Sequence, residues 1–399
     1  MSTITPTAVA PDGGAEFIFS PEQEELRATL RRYLGQHFSR DELRRVIDLP
    51  PGYDPAAWTA ITAELGLAGI VVPQDLGGDG GGAIELAVIA EELGQALYCS
   101  PWFGTCVLAV TALAAVGGSA GPGERVAGLI GGLAAGETMA TVVSDELIDP
   151  QSQGQVVAGT GPGDGSAFVL DGTARFVVDG VSADHLVVLA DDEYGGSVYL
   201  VADRSGVQAV PLTTLDLTRR LAEVRFSAAP AHRLGEPGTA AAVRDQVAVM
   251  AGLASVAESV GGMQFCVDQA SAYVKTRFQF GRPIGSFQAV KHKLANMLVH
   301  LEICRTAVQH AAWTCAASAA GSGGPGGRNT AAALAVHLAQ AQAGDSYLAV
   351  TAENIQTHGG IGFTYDHDAH LYYRRAKSAQ LMFGSPAYHR DRVADLVGI

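Results

Sequence analysis

The chain has 399 residues, 48% of them apolar, and a formal net charge of −15 at pH 7. That length accommodates two or three domains around a large shared core, and the acidic balance excludes nucleic acid and anionic membrane surfaces as partners. Five scattered cysteines (Cys99, Cys106, Cys266, Cys304 and Cys315) form no CxxC pair, which reads as core thiols in a reducing cytosol, not disulfides or metal ligands.

Residues 1–16 are rich in Pro, Gly, Ala and Thr and lack the basic start and apolar core of a signal peptide, so a disordered tail is expected. No charge-free apolar run approaches the roughly 18 residues a membrane span needs. Ser20-Pro21-Glu22-Gln23 spells an N-cap, a proline at the first helical position and a capping-box Gln, and Leu26, Leu30, Leu34 and Phe38 follow at helical spacing. Further helix is expected near Trp58–Gly66, over Ala83–Leu97 and from Val107 to Ala135. From about Gly136 the composition turns to Val, Thr, Gly and Asp. Segments such as Ala167–Leu170, Phe176–Val178 and His185–Leu189 read as short strands.

Helices return near Ala240. Leu253, Val256, Val260, Met263, Val267, Ala270 and Val274 step by threes and fours, as do Phe287, Val290, Leu294, Met297, Leu301, Cys304 and Val308. A Gly/Pro/Ser linker at 321–327 precedes a third long helix over about 329–356, and a last one is expected near His370. The fold class is α+β: an N-terminal helical domain (17–136), a middle β-barrel-like domain (137–236) and a C-terminal four-helix bundle (237–399).

Two segments carry chemistry. Arg277-Phe278-Gln279-Phe280-Gly281-Arg282-Pro283-Ile284-Gly285-Ser286-Phe287-Gln288 joins two bundle helices, and an Arg before an aromatic-Gly turn suits a phosphate and a stacked ring. Gln356-Thr357-His358-Gly359-Gly360-Ile361-Gly362 follows the third, and its glycines let backbone N–H groups approach an anion. Taken singly, each reads equally well as a helix-to-helix turn.

Together, and in this order, they resemble the two C-terminal signatures of the acyl-CoA dehydrogenase family. The turn Gly66-Leu67-Ala68-Gly69-Ile70-Val71-Val72-Pro73-Gln74-Asp75-Leu76-Gly77-Gly78 and the strand Phe176-Val177-Val178-Asp179-Gly180 also resemble family segments. The resemblance implies an FAD enzyme that oxidises an acyl-CoA thioester between Cα and Cβ. A Glu takes the α-proton, a hydride leaves Cβ for the flavin, and an electron-transferring flavoprotein accepts the electrons. It also implies that Arg277, Phe280, Gln288, Gln356, Gly359, Gly360 and Ser385 hold FAD, most of them reaching across a subunit interface towards the neighbour's adenosine and diphosphate.

The sequence departs from the family where the base belongs. Aligned from Arg375-Ala376-Lys377, the usual Glu position is Phe383, whose backbone N–H remains available to a thioester oxygen. The alternative position, counted back from Arg277, is Ala251. Glu258, two helical turns on, is the substitute candidate; its plainer reading is a structural carboxylate paired with a neighbouring group. Asp366-His367-Asp368-Ala369-His370 has metal-like spacing, but an acidic helix start explains it better. The flavin-stacking Trp position is Phe176, and the Thr position after it is Val178. These departures resemble the family branch that forms heterotetramers of two subunit types, of which only one carries the Glu. The competing readings are a self-sufficient homotetramer with a displaced base (Glu258 or Asp366), a flavoenzyme repurposed for another thioester reaction, and a scaffolding subunit without ligand.

Overall fold

A computed structural model describes residues 18–116, 123–161, 167–320 and 325–399. The expected disordered tail and the 321–324 part of the linker lie outside the described residues.

The capping box forms as the sequence specifies. Gln23 N–H donates to Ser20 Oγ at 3.3 Å, and Ser20 N–H donates to Gln23 Oε1 at 2.9 Å. They start α1 (Pro21–His37), whose Leu30 and Leu34 face the core. Next come α2 (Arg40–Ile47), too short for a periodicity reading, α3 (Pro55–Leu65) and α4 (Ala83–Ala96). The helical region expected from Val107 to Ala135 consists of several segments. A buried π-helical stretch spans Phe103–Ala109, α5 covers Val110–Val116 and α6 covers Glu124–Ala134. Wide turns of this kind concentrate at functional sites.

The middle region holds β1 (Ala140–Val143), the one-turn α7 (Asp145–Ile148), β2 (Val156–Thr160), β3 (Phe168–Val178), β4 (His185–Ala190), β5 (Ser197–Val201), β6 (Val207–Pro211) and β7 (Leu221–Leu234). Strand order is β1-β4-β5-β7-β3-β2, with β6 also on β7. Among the described strand pairs β1–β4 is parallel and the others antiparallel. A bridge between Val157 and Asp191 brings β2 back to the end of β4, so the sheet curls towards a barrel around Leu170, Leu186, Val188, Tyr199 and Val224.

The C-terminal bundle is α8 (Ala240–Thr276), α9 (Gln288–Ala320) and α10 (Pro325–His358), completed by α11 (Ala369–Ala379) and α12 (Pro386–Val397). A two-residue hairpin, β8 (Phe278–Gln279) with β9 (Arg282–Pro283), links α8 to α9. The helix expected from 329 starts earlier, at Pro325. The apolar length of α8 is covered by α4, α9 and α10; this central helix carries Ala251 and Glu258.

Candidate functional site

Neither expected base position can take a proton. Ala251 is fully buried on α8, and Phe383 is 4% exposed. Phe383 has φ 64° and Gly384 has φ 113°, so an aromatic residue is held in the left-handed region that side chains ordinarily avoid. Its ring stacks on Phe103 of the π-helical stretch, with centroids 5.7 Å apart. Its backbone N–H donates to the carbonyl of Ile148 at 2.8 Å. This corrects the expectation that the Phe383 N–H is free for a thioester oxygen: the last residue of α7 occupies it. Ser385 has a local role as well. Its hydroxyl accepts the Tyr388 N–H at 3.3 Å as the N-cap of α12.

Glu258 is also withdrawn from the role of base. Arg219 Nη2 lies 2.7 and 2.6 Å from its two carboxylate oxygens, and Arg375 Nη1 lies 3.3 Å from one of them. Both carboxylate oxygens are thus taken up by guanidinium donors and are not free to reach a substrate's α-proton. Arg375 in turn pairs with Asp216 at 2.8 Å and donates to the Thr218 hydroxyl at 2.6 Å. Burial alone would lower the Arg375 pKa; Asp216 and Glu258 outweigh it and hold it up. The Arg219 guanidinium sits 4.1 Å over the Phe103 ring. Between these side chains, Trp102 and Asp179, only about 20 Å³ remains, room for about one water molecule. Sequence reading missed this cluster because Asp216, Thr218, Arg219, Glu258 and Arg375 come from three separate segments.

The wall that would meet a flavin ring has its own locks. The β3–β7 register shifts between Ala174 and Val177, a bulge that turns Phe176 outward at φ 58° and 46% exposure. The Arg175 N–H at the bulge donates to Asp145 of α7 at 2.6 Å. Burial raises the Asp145 pKa, opposed by that bond. Asp366 is exposed. Asp368 beside it pairs with Arg44 at 2.6 Å, which fixes α11 to α2.

The far end of the bundle is open. Arg277, Phe280, Gln288, Gln356, Gly359 and Gly360 are all exposed, Phe280 by 90%. The ends of α8 and α10 meet there, with the Tyr273 and His358 rings 4.4 Å apart. Phe280 at φ 53° and Gly281 at φ 76° make the hairpin turn, and Gly281, Gly359 and Gly360 face open space. Between Asp268 and Glu302 the sequence has no acidic residue but carries Lys275, Arg277, Arg282, Lys291 and Lys293. In a chain of net charge −15 such a stretch draws attention to itself, and it was legible before the fold was known. Basic side chains, small residues, the N-terminal turn of α9 and a bare aromatic ring fit an anionic diphosphate joined to a flat heterocycle. The donor set therefore suits the adenosine–diphosphate end of FAD. The Phe383 end, with its N–H and carboxylates already engaged, does not suit a reacting thioester.

Comparison with known proteins settles the family. Residues 20–121 match the model of the acyl-CoA dehydrogenase N-terminal domain, and residues 246–398 that of the C-terminal domain. The chain is 33% identical over 369 residues to the acyl-CoA dehydrogenase IpdE2 of Mycolicibacterium smegmatis, covering 92% of this chain and 96% of that one. The chain belongs to the acyl-CoA dehydrogenase family. It is an oxidoreductase-type chain of that fold, and family members are FAD-dependent flavoproteins. It is also 32% identical to the acyl-CoA dehydrogenase FadE34 of Mycobacterium tuberculosis, covering 88% of this chain and 44% of that longer protein. Among solved structures, the ChsE4-ChsE5 complex from Mycobacterium tuberculosis superposes with a TM-score of 0.82 at 27% identity, covering 96% of this chain and 99% of that one.

Proposed function

We propose that this chain is the non-catalytic subunit of a heteromeric acyl-CoA dehydrogenase. It presents the basic end of its bundle to complete FAD binding in a homologous partner that carries the Glu base. The observation that carries this reading is the contrast at the two ends of the bundle. At Phe383 the base position, the thioester-facing N–H and the space beside Phe103 are all filled from within the chain. At Arg277 and Gln356 the side chains are exposed, with no ion pair or side-chain hydrogen bond among the described residues. The two-component name of the ChsE4-ChsE5 complex agrees with an assembly of unlike acyl-CoA dehydrogenase chains.

Bound FAD would accept the hydride from Cβ of the acyl-CoA. Within this chain, Arg277 would pair with the diphosphate, Phe280 would pack on the adenine, and the N–H groups near Gly359 and Gly360 would approach an anion closely. The partner would hold the acyl-CoA and its α-proton acceptor, and an electron-transferring flavoprotein would take the electrons. Five buried thiols without a bridge fit residence in a reducing cytosol.

The deciding experiment is the visible spectrum of the chain expressed alone and co-expressed with a family homologue encoded beside it. The expected result is a colourless chain alone and a yellow, active complex. A full complement of flavin and desaturase activity in the chain alone would overturn the proposal in favour of a homotetramer.

A further inference from the structure

Three rings meet at the open end of the bundle, each from a different segment. His358 is the last residue of α10 and is 5% exposed. Its centroid lies 4.4 Å from that of Tyr273 and 4.4 Å from that of His367, with the planes tilted by 33° and 48°. Tyr273 stands in the last turn of α8, and His367 lies just before α11. Aromatic contacts at this range add to what burial alone supplies.

Each ring is tied to a piece of the exposed end. The Tyr273 carbonyl accepts the Arg277 N–H at 2.9 Å, where the hairpin begins. His358 is followed at once by Gly359 and Gly360. The His367 N–H donates to the Thr364 carbonyl at 3.3 Å, which closes the turn after those glycines. The imidazole at the centre is itself held. His358 Nδ1 lies 2.8 Å from the Asn354 carbonyl; a carbonyl only accepts, so Nδ1 carries the proton. The Asn354 side chain is fully buried and donates to Gln269 Oε1 of α8 at 2.9 Å. A Cβ on Gly362 would lie 2.8 Å from His358 Cβ, so glycine is needed for the turn to fold back onto this residue.

We propose, on the reading that FAD binds at this end of the bundle, that His358 is a positioning residue for it. Buried behind Gly362, it offers a ligand no contact of its own. It sets the spacing between the Arg277 hairpin and the Gly359–Gly360 turn, the two segments that one dinucleotide has to meet at once. Exposed segments held in their bound arrangement beforehand lose less freedom when the ligand arrives. His367, which the sequence offered as part of a metal-like cluster, serves here as the ring that ties the start of α11 to the same centre.

The test measures the FAD dissociation constant of the co-expressed complex and the urea midpoint of the same preparations. His358→Ala should weaken FAD binding about tenfold, the effect of losing ring contacts that hold the bound arrangement. His358→Phe keeps a flat ring and should recover most of that loss. Leu301→Ala opens a fully buried site on α9 and should lower the midpoint while leaving FAD binding within about twofold. Unchanged FAD affinity in His358→Ala, in a complex that Arg277→Gln strips of flavin, would overturn the positioning role alone. Full flavin in Arg277→Gln would overturn the FAD reading and this role with it. Equal losses of FAD affinity in His358→Ala and Leu301→Ala would reduce His358 to a packing residue and also overturn the role. Should His358→Ala fail to assemble, His367→Ala removes one of the two ring contacts from a half-buried position and decides by the same readout.

Discussion

Arginine marks both ends of the C-terminal bundle, and its surroundings differ completely. Arg219 and Arg375 have side chains 7% exposed, each paired with a buried carboxylate. Arg277 lies in the open among Phe278, Phe280 and acid-free neighbours, with no partner among the described residues. The first pair belongs to folding, because a buried guanidinium without its carboxylate is strongly destabilising. The second residue, exposed and unpaired within the chain, adds little to the chain's own stability, and the proposed function gives it a role towards a bound cofactor. The same residue type thus separates what the chain needs in order to fold from what it offers to another molecule.

That contrast breaks most directly at Glu258. Glu258→Gln leaves two buried guanidiniums with Asp216 alone and should lower unfolding stability by about 3–5 kcal/mol, measured by chemical denaturation. A loss near zero would show that the Arg219–Glu258–Arg375 ion pairs do not hold the fold together. Next is Phe383→Glu, which places a carboxylate against Phe103 and should destabilise the chain by about 2–4 kcal/mol without creating desaturase activity. Turnover by that variant alone would mean that the Ile148–Phe383 bond opens freely.

A third experiment concerns His337 and His389, whose Nδ1 atoms lie 2.8 Å apart between α10 and α12. Burial lowers His337 to about 4. Burial, with His337 as neighbour, lowers His389 to about 3. The unfolded chain binds these protons first. Stability held above about pH 6.5 should therefore be lost as pH falls towards 4, and His389→Gln should flatten that loss. The smallest structural effect is expected at the open end. Arg277→Gln and Gly360→Ala should each change stability by less than about 0.5 kcal/mol while stripping flavin from the co-expressed complex. Retained flavin in both variants would remove this end of the bundle from cofactor binding.

Much of this arrangement was readable before the fold was seen. Ser20 and Gln23 announced α1 through a local capping pattern, and the spacing of Leu253, Val256 and Val260 announced α8. Both signals sit within a few residues. The open end was readable for the same reason: Arg277–Gln288 and Gln356–Gly362 are continuous stretches. The closed end was not. The bond from Phe383 to Ile148 spans more than half the chain, and Asp216, Glu258 and Arg375 meet only through the packing of the middle domain on the bundle. Glu258 shows the limit well. Its place on α8 was predictable from helical geometry, but its two arginine partners were not, and they decide what it can do. The helical region expected from Val107 divides into π-helix and α-helix near Phe103 for a similar reason, because tertiary packing overrides local propensity there.

The hydrogen bond between Phe383 and Ile148 bears on how this chain can change over generations. Regaining a reactive centre would require a carboxylate at 383, an α7 that releases the backbone N–H, and a smaller residue than Phe103 beside it. Each step alone disturbs a packed junction and returns no activity, so selection has nothing to reward along the way. Under the proposed heteromeric function such a chain has passed a one-way gate: it would depend on a companion that carries the carboxylate, and the two genes would persist, or be lost, together.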